Sequence, residues 1–259
     1  MKRKNYMHSI RFGDGTIGSD GRFVGYDTYT DWHLIPTSRP TIGMPGVETK
    51  FVSIPGLDGS VDLSEFLRSD RPAYGRRTGT FEFYVDDDNY EASEFWMTIY
   101  PKIVNILHGK KFKMVLNEDD PDYYWDGRFT VDKYDADDGY HSKVAISYAV
   151  QPWKEKIRKY SEHMAWDNFN FEKDYDYDPW MLGNVIVDGS WSRTLVGDGA
   201  PFPIEVTGKS GSVSVTFNGT TATVNAGETK EIGHAAYGEN QLSITGSGTV
   251  GIDWRGGSL

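Results

Sequence analysis

Cysteine is absent from the 259 residues, which rules out a disulfide framework, thiolate metal sites and thiol redox chemistry. That composition fits synthesis in a cytoplasm. Basic residues are scarce: 27 Lys and Arg stand against 38 Asp and Glu, a net charge of -11. A surface of that sign repels a phosphate backbone and releases no counterions from it, so specific nucleic-acid binding is not expected. Long apolar runs are missing too. No stretch approaches the roughly 18 residues of a membrane span. After Lys2, Arg3 and Lys4 the chain is polar and Gly-rich where a signal peptide needs an apolar stretch. The expectation is a protein with no membrane segment and no secretory leader.

Aromatic residues and glycine are plentiful. Tyr, Phe and Trp number 16, 13 and 8, enough for a sizeable core, and 29 glycines punctuate short Val/Ile/Thr/Tyr runs. β-Branched and aromatic side chains pack on a pleated surface, so the fold class predicted is mainly β. Residues 6–35 read as hairpins around Asp14-Gly15 and Asp20-Gly21. Pro36, Pro40, Pro45 and Pro55 keep the next segment extended, because each fixes its own φ and moves the residue before it out of the helical region. Residues 80–85 read as a strand with Phe81, Phe83 and Val85 on one face.

One helix is predicted between about Tyr90 and His108. There Phe95, Ile99, Ile103, Ile106 and Leu107 recur at three- and four-residue spacing, with Pro101 as a bend and Gly109 as a stop. Strands follow at Lys111–Leu116, Tyr124–Tyr134 and Lys143–Val150, with an acidic turn at Glu118–Asp122. The domains expected are 1–150, a charged linker at 151–165 (Gln151 to Tyr160 holds Pro152 and five charges), and 166–259. In the last of these, Gly/Ser/Thr/Val alternation at Gly211–Phe217, Thr221–Val224 and Gln241–Thr245, broken by Asn218-Gly219, Ala226-Gly227 and Gly246, signals a β-sandwich.

Chemistry is hard to find. Gly13-x-Gly15-x-x-Gly18 has the letters of a dinucleotide loop, but no helical run follows to hold a pyrophosphate, so turn glycines account for it. Asp135, Asp137, Asp138 and Gly139 loosely match a calcium loop, yet position twelve is Ile146 where a bidentate Glu is needed. Two other acidic clusters, Glu118/Asp119/Asp120/Asp122 and Asp174/Asp176/Asp178, read as solvated. The six histidines (His8, His33, His108, His141, His163, His234) show no metal-ligand spacing. No nucleophile elbow is present, and no pair of carboxylates can be placed across a cleft from sequence. We therefore expect no enzyme activity, no catalytic residue, no metal and no cofactor. Trp153, Trp166, Trp180, Trp191 and Trp254 are read as core or interface anchors in preference to a sugar-stacking surface.

The stretch from Asp31 to Arg77 carries a resemblance. Trp32-x-Leu34, Arg39-Pro40, the string Ile54-Pro55-Gly56-x-Asp58-Gly59-x-x-Asp62-Leu63, and Tyr74-Gly75-Arg76-Arg77 stand before a strand. Downstream come Leu107-His108-Gly109-Lys110, Asp120-Pro121-x-x-Tyr124, Gly127-Arg128-Phe129, Pro152-Trp153-Lys154, Trp166-Asp167 and a terminal Arg255-Gly256-Gly257-Ser258-Leu259. With these the chain resembles the distal tail (Dit) proteins of siphophages over nearly its whole length.

The resemblance implies an N-terminal β-sandwich with one α-helix, six copies of which form a ring, and a C-terminal galectin-like β-sandwich outside it. It implies a place in the virion at the tip of a long non-contractile tail, reached by assembly in the bacterial cytoplasm. The ring would join the tail tube protein to the tail-tip hub or fibre protein and let DNA pass. Six copies at -11 would line its path with negative charge, over which DNA slides without sticking. The alternative is a carbohydrate-binding adhesion module for host glycans. Ile54, Pro55, Gly56, Asp58, Gly59 and Asp62 are the signature turn, of undecided role. Proline and two glycines make it rigid, with Asp58 outward and Val61 and Leu63 directed to a core.

Overall fold

Period-two alternation decides which side of each long strand faces inward. Residues 77–85 run buried, exposed, half-buried, exposed, buried, exposed, buried, half-buried, buried, and their neighbours follow suit. The computed structural model describes residues 8–19, 22–56, 58–64, 72–86, 94–136, 142–157, 182–254 and 256–259. They fall into two compact units, one mainly of residues 23–152 with the N-terminal strand, the other mainly of residues 153–258.

The first unit carries β1 (Ile10–Gly13), β2 (Tyr26–Asp27), β3 (Leu34–Pro36), β4 (Val47–Glu48), β5 (Phe51–Ser53), β6 (Ser60–Asp62), β7 (Ala73–Tyr74) and β8 (Arg77–Val85). A π-helical turn (Phe95–Ile99) then runs into α1 (Tyr100–Leu107), followed by β9 (Lys111–Leu116), β10 (Asp120–Ala136) and β11 (Ser142–Val150). Seven of these strands form one antiparallel sheet in the order β2-β1-β9-β10-β11-β8-β3. The sheet curls. Phe12 from β1 stacks on Trp32, beside the opposite edge strand, with 5.8 Å between ring centroids. It also meets Phe129 of β10 edge to face at 4.9 Å. Phe95, Ile99, Ile103 and Leu107, all buried, fill the same core from the helical side.

The helix differs from expectation in one respect. Residues 95–99 are wound as π-helix, and the α-helix begins only at Tyr100, with Pro101 in its first turn. Pro101 has no N–H to give the carbonyl four residues back, and its ring crowds that carbonyl. The wider winding lets the Tyr100 N–H reach the Phe95 carbonyl, five residues away, so proline marks a change of helix type rather than a bend in one. Residues 90–93 of the expected helix lie outside the described residues. The acidic turn is shorter than expected, since β10 already begins at Asp120, and its pairing with β9 jumps register between Asp120 and Trp125.

The second unit contains β12 (Lys154–Lys156), β13 (Val185–Asp198), β14 (Pro203–Phe217), β15 (Thr220–Asn225), β16 (Thr229–His234), β17 (Tyr237–Trp254) and β18 (Gly257–Ser258). Within the segment read as a linker, Lys154–Lys156 pairs antiparallel with β18. The main sheet runs β13-β17-β14-β15, with β16 also on β14. A register shift between Gly208 and Ser210 lets the 15-residue β14 change inward parity, from Ile204 and Val206 to Val213, Val215 and Phe217. Asn218 and Gly219, with φ of 45° and 86°, supply the two left-handed positions that a tight β14–β15 hairpin requires.

Deleting a fully buried ring from the first core should be costly. Phe129→Ala is expected to destabilise the first unit by about 3–5 kcal/mol. Val52→Ala, at a position 36% exposed, should stay within about 0.5 kcal/mol, both read from urea unfolding curves.

Candidate functional site

The signature residues divide into two groups with opposite environments. Trp32 and Leu34 are buried, and Trp32 stacks with both the Phe12 and the Tyr26 ring. Arg77 is also buried, at 5% exposure; its Nε donates to the Pro152 carbonyl at 2.8 Å and its Nη1 to the Gly43 carbonyl at 3.1 Å. Its Nη2 has no hydrogen-bond partner. Burial lowers the guanidinium pKa from its ordinary value, an effect the neighbouring Tyr148 opposes. Arg39 is mostly exposed and pairs with Asp119, whose other oxygen lies 2.9 Å from His8 Nδ1. These residues hold the first unit together: Arg77 ties the loop at Gly43 to the exit at Pro152.

Ile54, Pro55, Gly56, Asp58, Gly59 and Asp62 stand outside. They form and flank the tip of a small hairpin in which, among the described residues, β5 pairs only with β6, Phe51 opposite Asp62, Val52 opposite Val61 and Ser53 opposite Ser60. All six are exposed. Gly56 and Gly59 have φ of 87° and 97°, and a Cβ on either would meet no atom within 4 Å, so backbone conformation alone selects glycine there. Asp62 accepts the Ser64 N–H at 2.9 Å and the Ser64 hydroxyl, which in turn accepts the Lys50 N–H at 2.8 Å. The Ser64 hydroxyl, then its N–H, hold the Asp62 carboxyl below its ordinary pKa.

Val61 and Leu63 were expected to enter a core. They are only half-buried, and among the described residues no second layer covers the two-stranded ribbon. Sequence reasoning also overlooked the hairpin's apolar character. Of eleven exposed large apolar side chains among the described residues, five fall within residues 44–54: Met44, Val47, Phe51, Val52 and Ile54. Their clustering around three prolines was the signal available.

The other candidates do not converge. Gly13 and Gly15 belong to the end of β1 and the turn after it. The side chains of Asp135, Asp137 and Asp138, the cluster Asp174/Asp176/Asp178, and His141 and His163 lie outside the described residues. Val131 N–H donates to His108 Nδ1 at 3.2 Å, and His234 lies 3.8 Å from Glu231 on the surface. Among the described residues no group of three or more His, Asp or Glu is placed to hold a metal ion. Trp254 is buried in the second core, which leaves it no face for sugar stacking, and Trp191 is half-buried against that core. Trp166 and Trp180 are outside the described residues.

Two antiparallel β units, the first closed by one short helix, define the class of fold. The solved structure of the SPP1 Dit (gp 19.1) protein, described as a paradigm of the hub adsorption apparatus in Gram-positive-infecting phages, shares that fold. The match has a TM-score of 0.56 at 13% identity and covers 97% of this chain and 99% of that one. A chain of the phage p2 baseplate, in its activated conformation with Sr, is 10% identical over 97% of this chain and 98% of its own. Its TM-score is 0.36. No protein-family model and no curated protein matches the sequence.

Arg77→Met leaves the Gly43 and Pro152 carbonyls without their donor and should cost about 1–3 kcal/mol in urea unfolding. Arg39→Met, at a side chain 68% exposed, should cost no more than about 1 kcal/mol. The Asp62 carboxyl titrates below its unfolded value, so its bonds to Ser64 are intact above 3.8 and are lost as pH falls through the folded value. The Ser64 amide resonance should shift in that acid window, and Asp62→Asn should shift it at neutral pH.

Proposed function

We propose that this chain is a non-catalytic structural protein of a phage tail. In this reading six copies form a ring at the distal tip of a long non-contractile tail, joining the tail tube protein to the tail-tip hub or fibre protein, with DNA passing through the lumen. One observation carries the proposal: the match to SPP1 Dit runs through both units, over 97% of this chain and 99% of that one. The signature residues support it from the sequence side. Trp32, Leu34 and Arg77 build the first unit, which leaves the exposed string around Ile54 to Asp62 available for contact with other subunits.

The apolar hairpin gives the assembly a physical motive. A pair of three-residue strands is marginal in water on its own, and an exposed apolar cluster is covered when subunits associate. Cyclic association covers it in every copy without leaving a free end. A ring of subunits at -11 each favours passage of DNA over its retention. Assembly in the host cytoplasm and residence at the tail tip follow from the same reading. The glycan-binding alternative loses Trp254 to the second core, against which Trp191 is half-buried.

The test is the mass of the purified protein by light scattering across concentration and salt. A mass near six times 29.2 kDa, with a central hole in electron micrographs, is the expected result. Phe51→Asp should shift it toward the single-chain mass without changing the thermal unfolding midpoint by more than a few degrees. A single-chain mass at every concentration, together with glycan-array binding, would replace the ring reading with the adhesion reading.

A further inference from the structure

The outer edge of β5 and the open edge of β8 are complementary, and we propose that the hairpin of one copy adds to β8 of the next. This inference rests on the ring reading above and names the two surfaces that make its contact.

The donor is set by hairpin register. Leu63 N–H donates to the Lys50 carbonyl at 2.8 Å, so Lys50, and two residues on Val52, turn their backbone groups toward β6. Phe51 and Ser53 therefore present N–H and C=O on the other side, away from β6. The acceptor is set the same way. Thr37 N–H donates to the Glu82 carbonyl at 2.9 Å, so Glu82 faces β3, and by period two Thr80 and Thr78 present their backbone groups on that side also.

Among the described residues β3 pairs with β8 only from Phe83 to Val85. Beyond Thr37 the chain leaves β8, opening a cleft of about 270 Å³ between Ser38–Thr41 and Thr80–Glu82. An unpaired edge is a template for another strand. Donor and acceptor each expose two residues at a spacing of two, which matches four backbone hydrogen bonds in antiparallel addition.

Charge and symmetry favour a second copy as the occupant. The hairpin tip carries exposed Asp58, and exposed Arg76 stands at the end of the acceptor that antiparallel addition brings toward that tip; Arg39, at the other end, is paired with Asp119. Donor and acceptor are different surfaces of one chain, so the contact is heterologous. Such contacts propagate head to tail and close into rings, whereas a self-complementary patch would stop at a dimer.

The absence of cysteine makes the test clean. Ser53→Cys and Thr78→Cys proteins, prepared separately, are mixed, allowed to assemble and treated with a short bis-maleimide. Linked pairs are expected in the mixture and not in either variant alone, and the double variant Ser53→Cys/Thr78→Cys should give a ladder ending at the ring mass. Light scattering on the same samples separates the two ideas. Oligomers that do not link, or Ser53→Cys linking to itself, overturn this docking and leave the ring standing. A single-chain mass throughout overturns both. As a second variant, Thr80→Pro removes an N–H that faces away from β11, so it should lower the assembled mass while leaving the circular dichroism spectrum unchanged.

Discussion

The curled sheet of the first unit is stable only because a helix fills it. Its strands point Ile10, Phe12, Phe83, Phe129 and Ile146 to one side, and an open sheet with that face in water would not persist. Phe95, Ile99, Ile103 and Leu107 are the plug, placed by a π-to-α winding change at Pro101. Everything else in the unit is arranged around that closure. β1 and the Trp32 loop meet across it, and Arg77 joins the loop at Gly43 to the end of the unit at Pro152.

Arg77 shows how a recognition motif can be internal. A buried guanidinium with one nitrogen unpartnered is costly, and its place in the fold comes from the two carbonyls it satisfies. Asp119, its side chain 8% exposed, has a similar part, receiving both His8 and Arg39. By contrast, the turn from Ile54 to Asp62 contributes nothing to the first core.

How much of this was legible beforehand differs between elements. The long strands were readable because alternation at Phe81, Phe83 and Val85, or at Val213, Val215 and Phe217, is a one-dimensional property that the pleat converts directly into faces. The helical stripe was readable for the same reason, except that proline's effect on the preceding turn depends on whether the backbone can widen to π geometry. The candidate site was legible as a motif and not as a surface. Val61 and Leu63 look like core residues by alternation, yet among the described residues no layer covers β5 and β6, and both side chains are half-buried.

The sequence by itself determined the class of the protein: mainly β, acidic, free of thiol chemistry, with one amphipathic helix. These follow from composition and period, which need no partner. Tertiary structure alone decided that Arg77 lies inside and Asp58 outside, that Trp254 belongs to a core, and that among the described residues β3 covers β8 only from Phe83 to Val85. Each of those depends on which distant segment arrives to cover a residue, and covering is a property of packing that neighbours in sequence do not encode.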